Sequence, residues 1–309
     1  MHVTKSYQGL KDKYRNIVVG LGNFDGVHIG HQRLITEVVS TAKNIGGTAV
    51  ILTFDPHPLS VLAPNNNPPK LLTQQGKEKM IGRLGVDAII SVPFNLEFAK
   101  MTPEEFIEKV LYEQLAAKVV VVGYNYTFGN KGAGNADTLK SKAEKYKYQV
   151  KIIPPVKIGD QVISSTLIRR YLMEGDVTEA TKYLGHPPFV EGIVVSGDRR
   201  GNTIGFPTAN LNLDQEQLVP AKGVYSVHVV VDEDTFLGVA NIGIKPTFNG
   251  AGGKTNLEVH LLDFSGDLYG KNITVKFIRR LRSEQRFSSV HELVSQIKND
   301  IKEAQADRM

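Results

Sequence analysis

The feature that most constrains this 309-residue chain is a change of hydrophobic period at a pair of prolines. Before it, short continuous apolar runs stand at Ile17–Leu21, Ala49–Phe54, Ala88–Val92, Val119–Val122 and Val150–Ile153. Helical patterns lie between them, at Gln32–Asn44, Pro103–Leu115 and Ala136–Tyr146. Continuous apolar strands alternating with helices predict a parallel sheet with helices on both faces. Thr102, Pro103, Glu104 and Glu105 form a helix start: a cap, a proline at the first helical position and acids in the first turn. Ser164–Ser165–Thr166 offers a cap for a helix ending at Gly175, and Asp176 caps a second one ending at Gly185.

Past Pro187 and Pro188 the apolar residues alternate. Val190–Val195, Val224–Val231, Phe236–Ile242, Leu257–Leu262 and Ile273–Ile278 read as strands separated by Gly, Asn and Asp turns. Together they predict about six antiparallel strands in a small closed barrel. A last amphipathic helix follows, with Val290, Leu293, Val294 and Ile297 on one face. The expected fold is therefore an α/β, Rossmann-like parallel-sheet domain over residues 1–186, then an antiparallel β-barrel domain with a C-terminal helix over residues 187–309.

Composition removes several function classes. The chain has no cysteine, which excludes disulfides and thiolate metal sites and fits a reducing compartment, so a cytoplasmic protein is expected. No apolar segment opens the chain as a secretory signal would, and runs such as Lys118–Gly123 are far too short to cross a membrane. The balance is basic, 37 Lys and Arg against 32 Asp and Glu. With no basic run and no aromatics interleaved with the charges, it fits phosphate-bearing substrates better than nucleic acid.

The richest stretch is Asn16–Ile35, NIVVGLGNFDGVHIGHQRLI, a strand running through a glycine-rich turn into a helix that starts near Gly30. Its glycines miss the dinucleotide fingerprint by one residue. His28 and His31, three apart at a helix N-terminus, can face one point where backbone N–H groups already favour an anion. Such donors suit a phosphate that gains charge in a transition state. Metal ligation and plain helix capping are the alternatives, though no third metal ligand stands nearby. Asn23 and Asp25 have the composition of an Asx turn, a common use of those residues.

GNFDGVHIGH (Gly22–His31) resembles the H-x-G-H signature of the nucleotidyltransferase superfamily, in the form found in prokaryotic bifunctional riboflavin kinase/FAD synthetases. LTFDPHP (Leu52–Pro58), VVGYNYTFG (Val121–Gly129) and ISSTLIR (Ile163–Arg169) resemble the motifs that follow in that family. The resemblance implies an FMN adenylyltransferase domain with His28 and His31 as catalytic residues. It implies ATP or flavin contacts from Gly22, Asn23, Phe24 and Asp25, from His57 and from Asn125. Ser164, Ser165, Thr166 and Arg169 would hold the departing pyrophosphate, although the hydroxyls also read as ordinary caps. Tyr124, Tyr126 and Phe128 are either core or a stacking surface for a ring.

In the second domain, GFPTAN (Gly205–Asn210) resembles the riboflavin kinase signature. Thr208 and Asn210 are two apart, which in extended chain puts both oxygens on one side, and hard oxygen ligands suit Mg²⁺ shared with ATP phosphates. Gly205, Phe206 and Pro207 would contact ATP or flavin. Gly197, Gly201, Arg199 and Arg200 would add backbone freedom and charge near phosphates. In LEVHLLDF (Leu257–Phe264), Glu258 resembles the family's catalytic base, which would take the proton from the ribityl 5′-hydroxyl. NIGIKPTF (Asn241–Phe248), DLYG (Asp267–Gly270) and RSEQRF (Arg282–Phe287) would shape the flavin pocket. One departure is Asn202, where the family pattern has a basic residue. GAGGKT (Gly250–Thr255) imitates a phosphate loop, but Phe248 stands where a glycine is required and a strand follows, so a hairpin loop is expected.

The resemblance implies phosphorylation of riboflavin to FMN and adenylylation of FMN to FAD, with ATP and Mg²⁺. Asn202 motivates one rival, a monofunctional FAD synthetase with an inactive flavin-binding barrel. The other rival, a flavin-binding regulatory module without turnover, is opposed by the presence of both candidate catalytic sets.

Overall fold

The computed structural model describes residues 1–197, 201, 204–245 and 254–308. By compactness the chain divides into two units, residues 1–69 with 74–164 and residues 70–73 with 165–309.

The first unit is built on a six-stranded parallel sheet. Its strands are β1 (His2–Thr4), β2 (Ile17–Leu21), β3 (Thr48–Asp55), β4 (Ala88–Pro93), β5 (Val119–Gly123) and β6 (Gln149–Ile153), in the order β1-β4-β3-β2-β5-β6. The chain runs outward from β2 through β3 to β4 and then returns to β5 on the other side of β2. The reversal of strand order, where open α/β sheets hold ligands, therefore falls between β2 and β5. Every residue of β2 is buried, as expected of a strand covered on both faces. At Gly20 a Cβ would come within 2.8 Å of Ile51 and Val38, so only glycine lets the covering helix lie this close.

That helix, α1, spans Ile29–Asn44 and buries Leu34, Ile35 and Val38 against the sheet. It starts at Ile29, next to the Gly30 expected from the glycine-rich turn, because His28 caps it. The helix expected at Pro103 forms with a complete capping box between Thr102 and Glu105. From Phe106 to Gln114 it widens into π-type turns that bury Phe106, Ile107, Val110 and Leu111. The Ala136 helix ends at Lys142, earlier than its periodicity suggested. A further helix, α2 (Gln74–Gly82), was not expected, because it carries few apolar residues.

The second unit is a closed six-stranded antiparallel barrel. Its strands are β7 (Phe189–Val195), β8 (Ala209–Leu213), β9 (Gly223–Val231), β10 (Asp234–Lys245), β11 (Lys254–Leu261) and β12 (Asn272–Arg282), in the order β7-β8-β11-β10-β9-β12, closed by β12 on β7. Alternation decides what fills it: Val227, Val229, Leu257, Val259, Val275 and Phe277 point inward and are fully buried. Helices Ser165–Glu174 and Val177–Leu184 belong to this compact unit, upstream of the division expected at residue 186. The backbone N–H of Ala221 donates to the carbonyl of Leu172 at 2.9 Å, one reason they group with the barrel.

The C-terminal helix, Val290–Ala304, is fastened by charge as well as by its apolar face. Arg282 forms a bidentate pair with buried Asp300, with Nε–Oδ1 and Nη2–Oδ2 both 2.8 Å, and Arg279 holds Asp307 at 2.8 Å. Of the expected apolar face, Leu293, Val294 and Ile297 are partly buried, but Val290, at the first helical position, is 63% exposed.

Candidate active sites

The first site is built by the turn between β2 and α1. Phe24 (φ 53°), Gly26 (φ 82°) and Val27 (φ 42°) all take left-handed conformations. For a β-branched residue such as Val27 this is strained backbone, the kind retained where the surroundings over-determine it. The turn is stitched to β3: the Gly22 N–H donates to the Leu52 carbonyl (3.3 Å), and the Thr53 hydroxyl donates to the Asn23 carbonyl (3.1 Å). Asn23 is exposed, and Asp25 is buried. Phe24 is wholly buried, with its ring under Gly22 and edge-on to His31 at 5.3 Å, so its side chain supports the turn from below.

His28 is 7% exposed and caps α1, its Nδ1 accepting the backbone N–H of His31 at 3.2 Å. Capping and function are therefore not alternatives here, because the cap fixes the tautomer: Nδ1 accepts, so Nε2 carries the proton and is the donor. The His28 and His31 rings stack 3.6 Å apart at 14°. A Cβ at Gly30 would stand 3.2 Å from the His28 ring, so glycine there lets the ring fold over the first turn. Nδ1 of His31 is buried and makes no hydrogen bond. Burial lowers His28 to about 4. Burial, and then the charges of His28 and Lys77, hold His31 well below the ordinary histidine value. Both rings are thus neutral near pH 7 and can donate hydrogen bonds without positive charge.

The neighbouring strand ends carry the other expected residues of this unit. His57, after β3, caps the short helix Pro58–Leu62 through Nδ1, which accepts the Leu59 N–H at 3.2 Å. After β5, Asn125 is exposed. The three aromatics there separate: Phe128 is core, Tyr126 stacks on it and its hydroxyl is pushed up by burial, and Tyr124 is 48% exposed. Tyr124 is the most exposed of the three. Sequence reasoning missed Lys77 on α2, a lysine only 8% exposed that reaches the same turn. In the second unit, Ser165 opens its helix with Ser164 just before it, Thr166 is exposed, and Arg169 stands one turn along.

The barrel site lies on its outer face. Leu257 and Val259 point into the core, so Glu258 between them points out and is half-buried. Asn210 on β8 and Asn241 on β10 are its register partners on either side, which puts the three side chains in one row across three strands. The side-chain amide of Asn256 donates to Glu258 Oε1 at 2.8 Å. Asn210 is 7% exposed, and its Oδ1 is buried without a hydrogen-bond partner. A buried, unsatisfied oxygen is costly unless something fills its place, and a hard cation fits it. Thr208, two residues before Asn210, is half-buried; a Cβ at Gly201 would be 3.4 Å from its hydroxyl, and one at Gly197 would collide with the Asn210 amide.

Gly205 (φ 85°) turns the chain into this segment, Pro207 is exposed, and Phe206 is half-buried. His260, which the sequence reading did not single out, meets Phe206 edge-on at 5.6 Å and donates from Nδ1 to the Pro207 carbonyl at 2.7 Å. Its place two residues beyond Glu258 on an alternating strand is the signal that would have found it. Arg199, Arg200, Asn202 and the Gly250–Gly253 part of the expected hairpin lie outside the described residues. Among the described residues no three His, Cys, Asp or Glu side chains group as a metal site, so any ion would depend on neutral oxygens and on phosphate.

A parallel sheet with donors at its switch point, and a barrel with a carboxylate beside an unsatisfied amide oxygen, define a two-module enzyme of nucleotidyl and phosphoryl transfer. Comparison with known proteins agrees. The family model for FAD synthetase matches residues 10–167, and that for riboflavin kinase matches residues 184–307. The bifunctional riboflavin kinase/FMN adenylyltransferase of Bacillus subtilis is 38% identical over 306 residues, covering 98% of this chain and 96% of its own. The Escherichia coli protein of the same name is 38% identical over 284 residues, covering 92% and 90%. A crystal structure described as a macrolide-efflux protein from Streptococcus pneumoniae superposes with a TM-score of 0.86 at 36% identity, covering 94% of each chain. In this chain, no helix among the described residues is long and apolar enough to cross a membrane. The chain belongs to the bifunctional riboflavin kinase/FMN adenylyltransferase family, with a domain for each activity.

Proposed function

We propose that the barrel phosphorylates riboflavin to FMN and that the parallel-sheet unit adenylylates FMN to FAD, each with its own ATP. The observation that carries the adenylylation reading is the His28–His31 pair, two stacked neutral imidazoles at a helix N-terminus, one with an unused buried nitrogen. In that reaction an FMN phosphate oxygen attacks the α-phosphorus of ATP and pyrophosphate leaves. Charge accumulates on the α-phosphate oxygens, where the Nε2–H of His28, His31 and the first N–H groups of α1 stabilise it. No protein nucleophile is needed. Asn23 and Asp25 orient the ATP phosphates, His57 and Asn125 contact nucleotide or flavin, and Tyr124 offers a stacking face. Ser164, Ser165, Thr166 and Arg169 are assigned the departing pyrophosphate on their motif and their place at a helix start.

In the barrel, Glu258 accepts the proton of the ribityl 5′-hydroxyl as the oxygen attacks the γ-phosphorus. Asn256 holds that carboxylate in place. Thr208 and Asn210 would hold Mg²⁺, whose chemistry is to neutralise charge on the ATP phosphates. Gly205, Phe206 and Pro207 line the approach of ATP and flavin. The domain division at residues 186 and 187, supported by the start of the kinase match at residue 184, and a cytoplasmic location belong to the same reading.

The test is purified protein with ATP and Mg²⁺, started in parallel from riboflavin and from FMN, with the three flavins separated by chromatography. FMN followed by FAD from riboflavin is expected. FAD from FMN with riboflavin untouched would reduce the barrel to a binding role and make Asn202 the first suspect.

A further inference from the structure

Among the described residues, Lys77 is the one buried lysine, and the proposed reactions leave it without a role. It projects from α2, and its Nζ lies 3.4 Å from the Asn23 carbonyl, 3.2 Å from the Thr53 hydroxyl and 3.3 Å from the Phe54 carbonyl. Asn23 belongs to the turn that leads to His28, while Thr53 and Phe54 end the adjacent strand just before the loop that carries His57. Three protein oxygens accept from its ammonium group, so this lysine grips protein. Burying a charged amine is costly unless such acceptors surround it, and its retention beneath the turn asks for a reason. Here the acceptors include backbone carbonyls at two functional strand ends.

We propose that Lys77 is a positioning residue for adenylyl transfer, an ammonium clamp that locks the Asn23–His28 turn onto the C-terminal end of β3 so that the turn is preformed for the phosphates of ATP. Its clamp has a second member. Thr53, fully buried, donates to the same Asn23 carbonyl and accepts from Lys77, so the two side chains hold one carbonyl from two directions. The strain at Val27 explains the need, because a turn with a β-branched residue in the left-handed region relaxes unless its neighbours hold it. The charge of Lys77 is also felt at His31, where it favours the neutral ring.

The inference rests on the reading of the His28–His31 site as the adenylylation site, and the test separates the two. FAD synthesis from FMN is measured in the wild type, Lys77→Met and Thr53→Val, with KM for ATP and for FMN determined separately. Riboflavin phosphorylation by the same preparations reports the barrel. Lys77→Met should raise KM for ATP about tenfold, as loss of a charge-assisted hydrogen bond does, leaving KM for FMN and riboflavin phosphorylation within about twofold. Thr53→Val should raise the same constant about threefold. A role in folding alone lowers kcat through loss of active enzyme and leaves KM untouched. Unchanged KM for ATP in the variants would therefore overturn the proposal, and Thr53→Val decides if Lys77→Met fails to fold. A wild type that makes no FAD would instead sink the underlying reading.

Discussion

On the proposed reading, the reacting groups of the parallel-sheet unit are neutral imidazoles held at a helix N-terminus. On the same reading, those of the barrel stand on an outer strand face and include a carboxylate, Glu258, beside the buried amide oxygen of Asn210. Both sites act on a phosphorus of ATP, and the difference follows from the attacking group. An FMN phosphate is already an anion and needs no base, so the first site only has to absorb charge at the transition state. A ribityl hydroxyl must lose a proton, so the second site supplies an acceptor. Burial serves the two in opposite ways. It keeps His28 and His31 uncharged in the first site, whereas in the second it leaves Asn210 Oδ1 without a hydrogen bond, which on the proposed reading favours a cation there.

The contrast is most sharply tested by removing the base. Glu258→Gln should lower FMN formation from riboflavin by about 10²–10⁴, the range of general-base contributions, while FAD formation from FMN persists. Surviving FMN production, measured by chromatography, would mean that another group takes the proton. His28→Ala should do the converse, cutting FAD formation by about 10²–10³ and sparing FMN formation. Asn210→Ala should raise the Mg²⁺ concentration that half-saturates riboflavin phosphorylation about tenfold, with no change in the Mg²⁺ dependence of FAD synthesis.

Acid should distinguish the units as well. The pKa of His28 falls from 6.5 to about 4 on folding, so the unfolded chain binds more protons between those values. The stabilising effect of a neutral His28 is complete above pH 6.5 and is lost as pH falls towards 4, a loss on the order of 3 kcal/mol. Chemical unfolding of wild type and His28→Ala at pH 7 and pH 5 should show the variant losing less. The smallest effect expected is from Thr102→Ala, which opens the capping box of the Pro103 helix and should cost about 1 kcal/mol of stability, leaving riboflavin phosphorylation unchanged.

Much of this arrangement was legible in the sequence, and for identifiable reasons. The strands of the sheet are buried on both faces and so appear as continuous apolar runs, and those of the barrel bury one face and so alternate. His28, His31, Thr208, Asn210 and Glu258 lie in compact local motifs. Lys77 was missed because its significance comes from what it meets across the fold, Asn23 and Phe54. Helix α2 was missed with Lys77, since its face is too polar to show a period. The three aromatics after β5 could not be sorted by type; depth alone separates Phe128 in the core from Tyr124 at the surface. The outward placement of Glu258 became visible only once the register joined it to Asn210 and Asn241.

The central claim is that one chain holds two chemically independent sites that act in sequence. Its most direct test is to mix His28→Ala and Glu258→Gln in one tube with riboflavin, ATP and Mg²⁺ and to follow FAD. Each variant alone should make little FAD from riboflavin, the first stopping at FMN and the second failing to begin. The mixture should make FAD far faster than either, because FMN released by one is adenylylated by the other. No FAD from the mixture, with each variant still active in its own half-reaction, would contradict two independent sites linked by free FMN.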